Sequence, residues 1–294
     1  MKQVISSIGF IGTGVMGKSM VHHLLQGGYT VYVYNRTKEK ATSLLKEGAH
    51  WCDSPKELVE NVDVVMTMVG YPHDVEEIYF GTEGILEHAN EGTIAIDFTT
   101  STPTLAKRIY EAGKKKSVHT LDAPVSGGDI GAKEGRLAIM IGGEQEVYEV
   151  CLPLFEKLGE NVQLQGPAGS GQHTKMCNQI AIASNMIGVC EAVAYAKKAG
   201  LDPEKVLQSI STGAAGSWSL SNLAPRMLKE DFAPGFYVKH FMKDIKIALD
   251  EAEKLKLPVP GLALAKELYD ELIEEGEEDS GTQVLYKKYI KGVM

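Results

Sequence analysis

Ile8-Gly9-Phe10-Ile11-Gly12-Thr13-Gly14-Val15-Met16-Gly17 carries an apolar strand pattern straight into Gly-x-Gly-x-x-Gly. That spacing predicts a cradle for a dinucleotide pyrophosphate. Gly12 permits the tight turn, Gly14 lets the backbone approach the phosphates, and Gly17 lets the next helix pack close to the strand, its N-terminus facing the phosphate charge. Thr13, Val15 and Met16 complete the loop and belong to the same cofactor-binding set. The motif alone is weak, but its setting is right. A helical pattern of Met20, Val21, Leu24 and Leu25 follows, and a second strand, Thr30-Val31-Tyr32-Val33-Tyr34, ends at Asn35-Arg36-Thr37, where the ribose is read.

That second position bears on the cofactor. An Asp or Glu there accepts bonds from both ribose hydroxyls and repels a 2′-phosphate. Here Asn35 is followed by Arg36. A guanidinium forms charge-assisted, forked bonds to phosphate oxygens, so the residues favour NADP, with NAD possible. The competing reading makes Arg36 a solvated loop charge or a stacking partner for adenine.

The 294 residues suffice for two domains, and 44% hydrophobic with 23% charged content is that of an ordinary globular protein. A net charge of −9 argues against a nucleic-acid partner, which requires a basic stripe. An anionic ligand must therefore be held by a local pocket. Cys52, Cys151, Cys177 and Cys190 have neither C-x-x-C nor zinc-type spacing, which predicts packed, reduced thiols, a cytoplasmic setting and no metal. The first apolar stretch is short and broken by glycines, so it is expected to be a strand and not a signal peptide. No run approaches 18 uninterrupted apolar residues, so no membrane partner is expected. Lys114-Lys115-Lys116 reads as a solvated loop.

From residue 1 to 165 strand and helix patterns alternate, as a Rossmann-like, doubly wound parallel α/β sheet requires. Asp63 to Val69 and Thr93 to Phe98 are strand runs, and further strands are expected at Val118 to Asp122, Leu137 to Ile141 and Val162 to Gln165. In such sheets ligands gather at the carboxyl ends of the strands, which places Met68, Val69 and Thr99 beside the cofactor. Residues 166 to 294 read as an all-α domain joined by one long helix from Ser170 to about Ala199, apolar on most faces and so expected to be buried nearly all round. Asp202-Pro203 opens another helix, and Val238 to Leu255 and Leu262 to Glu274 follow.

Two segments put polar groups where a core would not want them. After the strand ending at Asp122 comes Ala123-Pro124-Val125-Ser126-Gly127-Gly128, where the Ser126 hydroxyl and the amides of Gly127 and Gly128 form a nest sized for a substrate carboxylate. The plainer alternative is a Pro-Gly turn. Within Gly166 to Gln179, Lys175 shares a helix face with Asn178 and Gln179, at i+3 and i+4. A lysine inside an otherwise buried helix is costly unless it works or is paired, and desolvation beside an oxidised nicotinamide suits it to proton transfer. Against this stands a surface lysine at a helix start. His173, His240 and Cys177 lie near the same segments, but no metal spacing joins them.

Together these segments resemble the β-hydroxyacid dehydrogenase family, which includes 3-hydroxyisobutyrate dehydrogenases, tartronate semialdehyde reductases and glyoxylate/succinic semialdehyde reductases. The likeness runs through essentially the whole chain: GFIGTGVMG resembles the cofactor signature, DAPVSGG the substrate loop, GPAGSGQHTKMCNQ the catalytic segment, and Phe241-Met242-Lys243-Asp244 the C-terminal Lys-Asp motif. The resemblance implies an oxidoreductase acting on a small hydroxy acid or its semialdehyde. Ser126, Gly127 and Gly128 would hold the carboxylate, Lys175 would be the general acid/base, and Asn178 would orient the substrate. Lys243 would lie near the nicotinamide or its ribose, with Asp244 beside it, and Trp218 in Gly213 to Ser219 would wall the pocket. Where some members carry Asn-Asn this chain has Asn178-Gln179, which leaves open which amide works. Imine reductases share the architecture but typically lack the lysine, 6-phosphogluconate dehydrogenases have a longer C-terminal part, and a non-catalytic NADP sensor would need neither Lys175 nor Ser126. The long apolar helix and the family likeness both point to a homodimer or homotetramer.

Overall fold

Valine- and isoleucine-rich runs buried on both faces build the centre of the sheet, as burial between two helical layers demands. The computed structural model describes residues 5–290. Strands β1 (Ser7–Ile11), β2 (Thr30–Tyr34), β3 (His50–Trp51), β4 (Val64–Thr67), β5 (Ile94–Asp97) and β6 (His119–Asp122) lie in the order β3-β2-β1-β4-β5-β6, all parallel. The chain order reverses at β1, where β2 and β4 flank it on either side, so the glycine loop leaves the sheet at its switch point. Ile8, Phe10, Val31, Val33, Val64 and Met66 pack with the helix Val15–Gln26 on one face, and Val65, Ala95, Val75 and Tyr79 on the other.

The sheet is the parallel-dominated, doubly wound one expected, with antiparallel pairing confined to one side of it. Strands β7 (Val125–Ser126), β8 (Leu137–Gly142) and β9 (Gly159–Gly166) extend it, with β8 antiparallel to β6 and β7 and parallel to β9. The helix between β7 and β8, Gly128–Glu134, has seven residues. At about 10 Å it cannot carry the chain back along a six-residue strand of about 20 Å, so β8 returns antiparallel. The 14-residue helix Gln145–Leu158 is long enough, and β9 follows β8 in parallel.

Two compact units divide the chain at Lys175/Met176, inside the helix Ser170–Lys198. In the second unit, helices Pro203–Ile210, Val238–Lys254 and Pro260–Glu274 enclose a core of Met186, Cys190, Val193, Phe241 and Leu272, and Tyr269 meets Phe241 edge to face. Asp202 caps the first of these, its Oδ1 accepting the Glu204 N–H at 3.0 Å. The long helix is not buried all round. Cys177, Ala181, Ser184, Gly188, Glu191 and Tyr195 stand exposed at alternating steps of four and three, one stripe along its length. Among the described helices it alone is long and apolar enough to cross a bilayer, and half of that stretch is buried inside the protein.

Candidate active site

The glycine loop has the geometry that its spacing predicts. Gly12 adopts φ +100°, and a Cβ there would collide with the Met68 carbonyl; one on Gly17 would collide with the Gly12 carbonyl. At Gly14 a Cβ would meet nothing within 4 Å, so the backbone is bare toward open space at the N-terminus of the helix Val15–Gln26. No side chain caps that terminus and no acidic residue lies in its first turn. The Thr13 hydroxyl is buried with no hydrogen-bond partner, while Val15 is exposed and Met16 half-buried. An open approach, uncapped N–H groups and an unsatisfied hydroxyl fit a bound pyrophosphate.

Asn35 is a brace for this loop. Its Oδ1 accepts the Thr13 N–H at 3.0 Å and its Nδ2 donates to the Thr37 carbonyl at 2.9 Å, tying the glycine loop to the turn that presents Arg36. Arg36 is 77% exposed, yet its Nη1 lies 3.2 Å from Oδ1 of the buried Asp74, so it is not merely a solvated charge. Met68 and Val69 are half-buried at the end of β4. Thr99 is buried, its hydroxyl accepting the Val69 N–H at 3.0 Å, so it joins the ends of β4 and β5.

Beneath these loops lies a buried polar layer in which Asp97, Asp122 and Gln172, three residues outside the expected site, bond to the strand ends and to the start of the long helix. Asp97 Oδ1 accepts both the Thr67 hydroxyl (2.7 Å) and the Thr99 N–H (3.0 Å). Burial pushes its carboxyl up to about 6, with those hydrogen bonds opposing the shift and the neighbouring Asp122 adding to it. Asp122, opposite Asp97 in the β5–β6 register, accepts the Gly169 N–H at 2.7 Å and the Gln172 N–H at 2.9 Å, and so anchors the first turn of the long helix. Burial raises its carboxyl as well. Gln172, fully buried, accepts the Ser101 N–H at 2.9 Å and donates to the Thr99 carbonyl at 2.8 Å. An acidic residue closing each of two apolar strand runs was a visible signal for Asp97 and Asp122; nothing local marked Gln172.

One turn beyond Gln172, Lys175 is 6% exposed and donates from Nζ to the Val125 carbonyl at 2.8 Å. The ammonium thus lies beside the Ser126-Gly127-Gly128 segment. Gly127 and Gly128 have φ +131° and +63°, backbone that only glycine adopts without strain, and they open the helix Gly128–Glu134. Ser126 and Gly128 are half-buried and Gly127 is exposed, so the nest is reachable. His173 is half-buried in the same unit.

In the second unit Asn178 donates to Gln179 Oε1 at 2.7 Å, Gln179 Nε2 donates to Asp244 Oδ2 at 2.6 Å, and Lys243 Nζ lies 3.2 Å from Asp244 Oδ1. Gln179 is fully buried, whereas Asn178 is half-buried. Burial and the charges of Lys243 and Lys239 hold the half-buried His240 below the usual imidazole range. Trp218 is exposed, not core; it opens the helix Trp218–Asn222, capped by the Ser217 hydroxyl. Cys177 is exposed, and Cys52, Cys151 and Cys190 are buried thiols. Among the described residues no cluster could hold a metal ion.

The family model for the NAD binding domain of 6-phosphogluconate dehydrogenase matches residues 7–166, and that for the NAD-binding domain of NADP-dependent 3-hydroxyisobutyrate dehydrogenase matches 169–289. An uncharacterized oxidoreductase of Bacillus subtilis, YkwC, is 66% identical over 97% of this chain and 99% of its own. A probable mitochondrial 3-hydroxyisobutyrate dehydrogenase-like protein of Arabidopsis thaliana is 50% identical over 95% of this chain and 84% of its own. The solved structure of a Mycobacterium tuberculosis 3-hydroxyisobutyrate dehydrogenase with L-serine superposes with a TM-score of 0.89 at 27% identity, covering 97% of this chain and 99% of that one. The chain belongs to the β-hydroxyacid dehydrogenase family and is an NAD(P)-dependent dehydrogenase of small hydroxy acids.

Proposed function

We propose that this β-hydroxyacid dehydrogenase is NADP(H)-preferring and interconverts a small 3-hydroxy or 2-hydroxy carboxylate and its semialdehyde or keto acid, with Lys175 as the general acid/base. The observation that carries the reading is the 2.8 Å bond from Lys175 Nζ to the Val125 carbonyl. It holds an ammonium one residue from the hydroxyl and glycine amides that would take the substrate carboxylate. A substrate anchored by Ser126, Gly127 and Gly128 then presents its hydroxyl within reach of Lys175. In oxidation Lys175 accepts the hydroxyl proton, and in reduction it returns one to the carbonyl oxygen. The nicotinamide, when bound, takes or supplies the hydride.

The cofactor would be held by the Gly12–Gly17 loop, by Arg36 at the 2′-phosphate and by the ends of β4 and β5, and the family likeness adds Lys243 as a candidate. Asn178 is the working amide in this reading, because Gln179 is fully buried and bonded to Asp244. Gln179 and Asp244 instead hold Asn178 and Lys243 in place. The active form is a homodimer or homotetramer, a reading supported by the exposed stripe on the long helix.

Turnover with NADPH or NADP⁺ against a panel of small hydroxy acids and semialdehydes tests the reading. Activity on at least one carboxylate that is abolished in Lys175→Ala supports it. Turnover that persists in that variant would remove Lys175 from the chemistry.

A further inference from the structure

Arg36 and Asp74 come from opposite sides of the cofactor loop. Arg36 follows β2, Asp74 sits in the first turn of the helix Pro72–Phe80 that follows β4, and β1 with its glycine loop lies between those two strands. The two members of the pair differ sharply in exposure, 77% for the Arg36 side chain against 6% for Asp74. Asp74 is anchored: its Oδ2 accepts the Tyr71 N–H at 3.0 Å, and a Cβ added at Gly70 would lie 3.2 Å from the same oxygen. The only other charge-capable group within ion-pair range among the described residues is His73, whose Nε2 is 3.8 Å from Oδ1 and which is largely exposed. The residue that recommends NADP is therefore already paired with a buried, immobile carboxylate.

We infer that Asp74 is a specificity-determining residue that tempers the preference for NADP, leaving the site able to accept NAD as well. This rests on Arg36 as the reader of the 2′-phosphate. An isolated guanidinium meets a phosphomonoester as a full positive charge; a guanidinium bridged to Asp74 meets it as part of a nearly neutral pair. Any anion that Arg36 binds is also within a few ångströms of the Asp74 carboxylate, closer than a Debye length, so salt does not remove the repulsion. A ribose 2′-hydroxyl carries no charge and is indifferent to this term. Asp74 therefore weakens NADP(H) binding selectively, and no other part of the cofactor distinguishes the two.

Fluorescence titration of the full chain with NADPH and NADH, for wild type, Asp74→Asn and Arg36→Ala, tests this. Asn is isosteric and keeps an acceptor for the Tyr71 N–H. Asp74→Asn should tighten NADPH by about two- to fivefold, the scale of a partly exposed charge pair, and leave NADH unchanged. Arg36→Ala should weaken NADPH by about ten- to a hundredfold and spare NADH. If Arg36→Ala behaves so but Asp74→Asn weakens NADPH, leaves it unchanged or shifts both cofactors equally, Asp74 has no such role and the reading of Arg36 stands. Equal loss of both cofactors in Arg36→Ala overturns that reading and this inference with it. Should Asp74→Asn fail to accumulate, Asp74→Ser removes the same charge while keeping a short acceptor, and the same outcomes apply.

Discussion

Lys175 Nζ donates to the carbonyl of Val125 at 2.8 Å, fifty residues back in the chain. Two unrelated segments are thereby brought to one point: the first turns of a long helix and the short strand that leads into Ser126. The approach depends on Asp122, whose carboxylate accepts the Gly169 and Gln172 N–H groups and so sets where that helix begins. A buried ammonium is costly to desolvate, and the bond to Val125 fixes where it lies beside Ser126. Such an arrangement suits a group that must change its protonation state in use.

Lys175→Ala should therefore leave NADPH affinity nearly intact while lowering kcat by roughly 10²–10⁴, the usual contribution of positioned proton transfer. Lys175→Arg should not recover it, because a guanidinium keeps its charge but does not release its proton near neutral pH. Steady-state kinetics on folded, cofactor-binding variants decide the point. An Arg variant within about threefold of wild type would make the role electrostatic and not acid/base.

The glycine loop offers a test that separates folding from binding. A Cβ at Gly17 would run into the Gly12 carbonyl, whereas at Gly14 it would project into open space. Gly17→Ala should lower the melting temperature and weaken both cofactors. Gly14→Ala should melt like wild type and still lose cofactor affinity, by about tenfold or more, because the methyl occupies the path of the pyrophosphate. Intact NADPH binding in folded Gly14→Ala would remove the cradle from this position.

Asp97 makes stability depend on pH. Its folded carboxyl is raised from 3.8 to about 6, chiefly by burial. Between those values the native state keeps a proton that the unfolded chain has released, so its stabilising contribution is complete below about pH 4 and is lost as pH rises through about 6. Asp97→Asn keeps the oxygen that accepts from Thr67 and Thr99 and never ionises. It should be more stable than wild type at pH 7.5 by up to about 3 kcal/mol, with the difference vanishing near pH 4. Denaturant melts at several pH values check this; identical pH profiles for the two proteins would refute it.

Assembly is accessible to light scattering. The exposed stripe of Cys177, Ala181, Ser184, Gly188, Glu191 and Tyr195 gives the long helix a face that a second copy can cover. We expect a mass of two or four times 31.9 kDa at micromolar concentration. A 31.9 kDa particle would rule the oligomer out.

Much of the architecture was legible because its signals are local. Thr30–Tyr34 is the strand that its β-branched and aromatic pattern predicted, Ser170–Lys198 ends one residue from where the helical pattern does, and the Asp202 cap needs only its own neighbours. Strand β7 and the antiparallel turn of β8 were not legible. A two-residue strand has no periodicity, and its direction is set by how far a seven-residue helix can carry the chain. Burial of the long helix was overestimated because alanine, serine and glycine read as core when no partner is in view.

By itself the sequence determined the glycine loop that follows β1 and marked Lys175 as a lysine in an apolar helix, since glycine spacing and residue chemistry are fixed before the chain folds. Pairings between distant side chains only the tertiary structure decided. Asn35 spends its amide on Thr13 and Thr37, Gln179 spends its own on Asp244, and Arg36 meets a carboxylate 38 positions away. In each case a residue's availability depends on what strand order and helix placement bring within about 3 Å of it, and the geometry of a hydrogen bond leaves no room for that to be read from spacing along the chain.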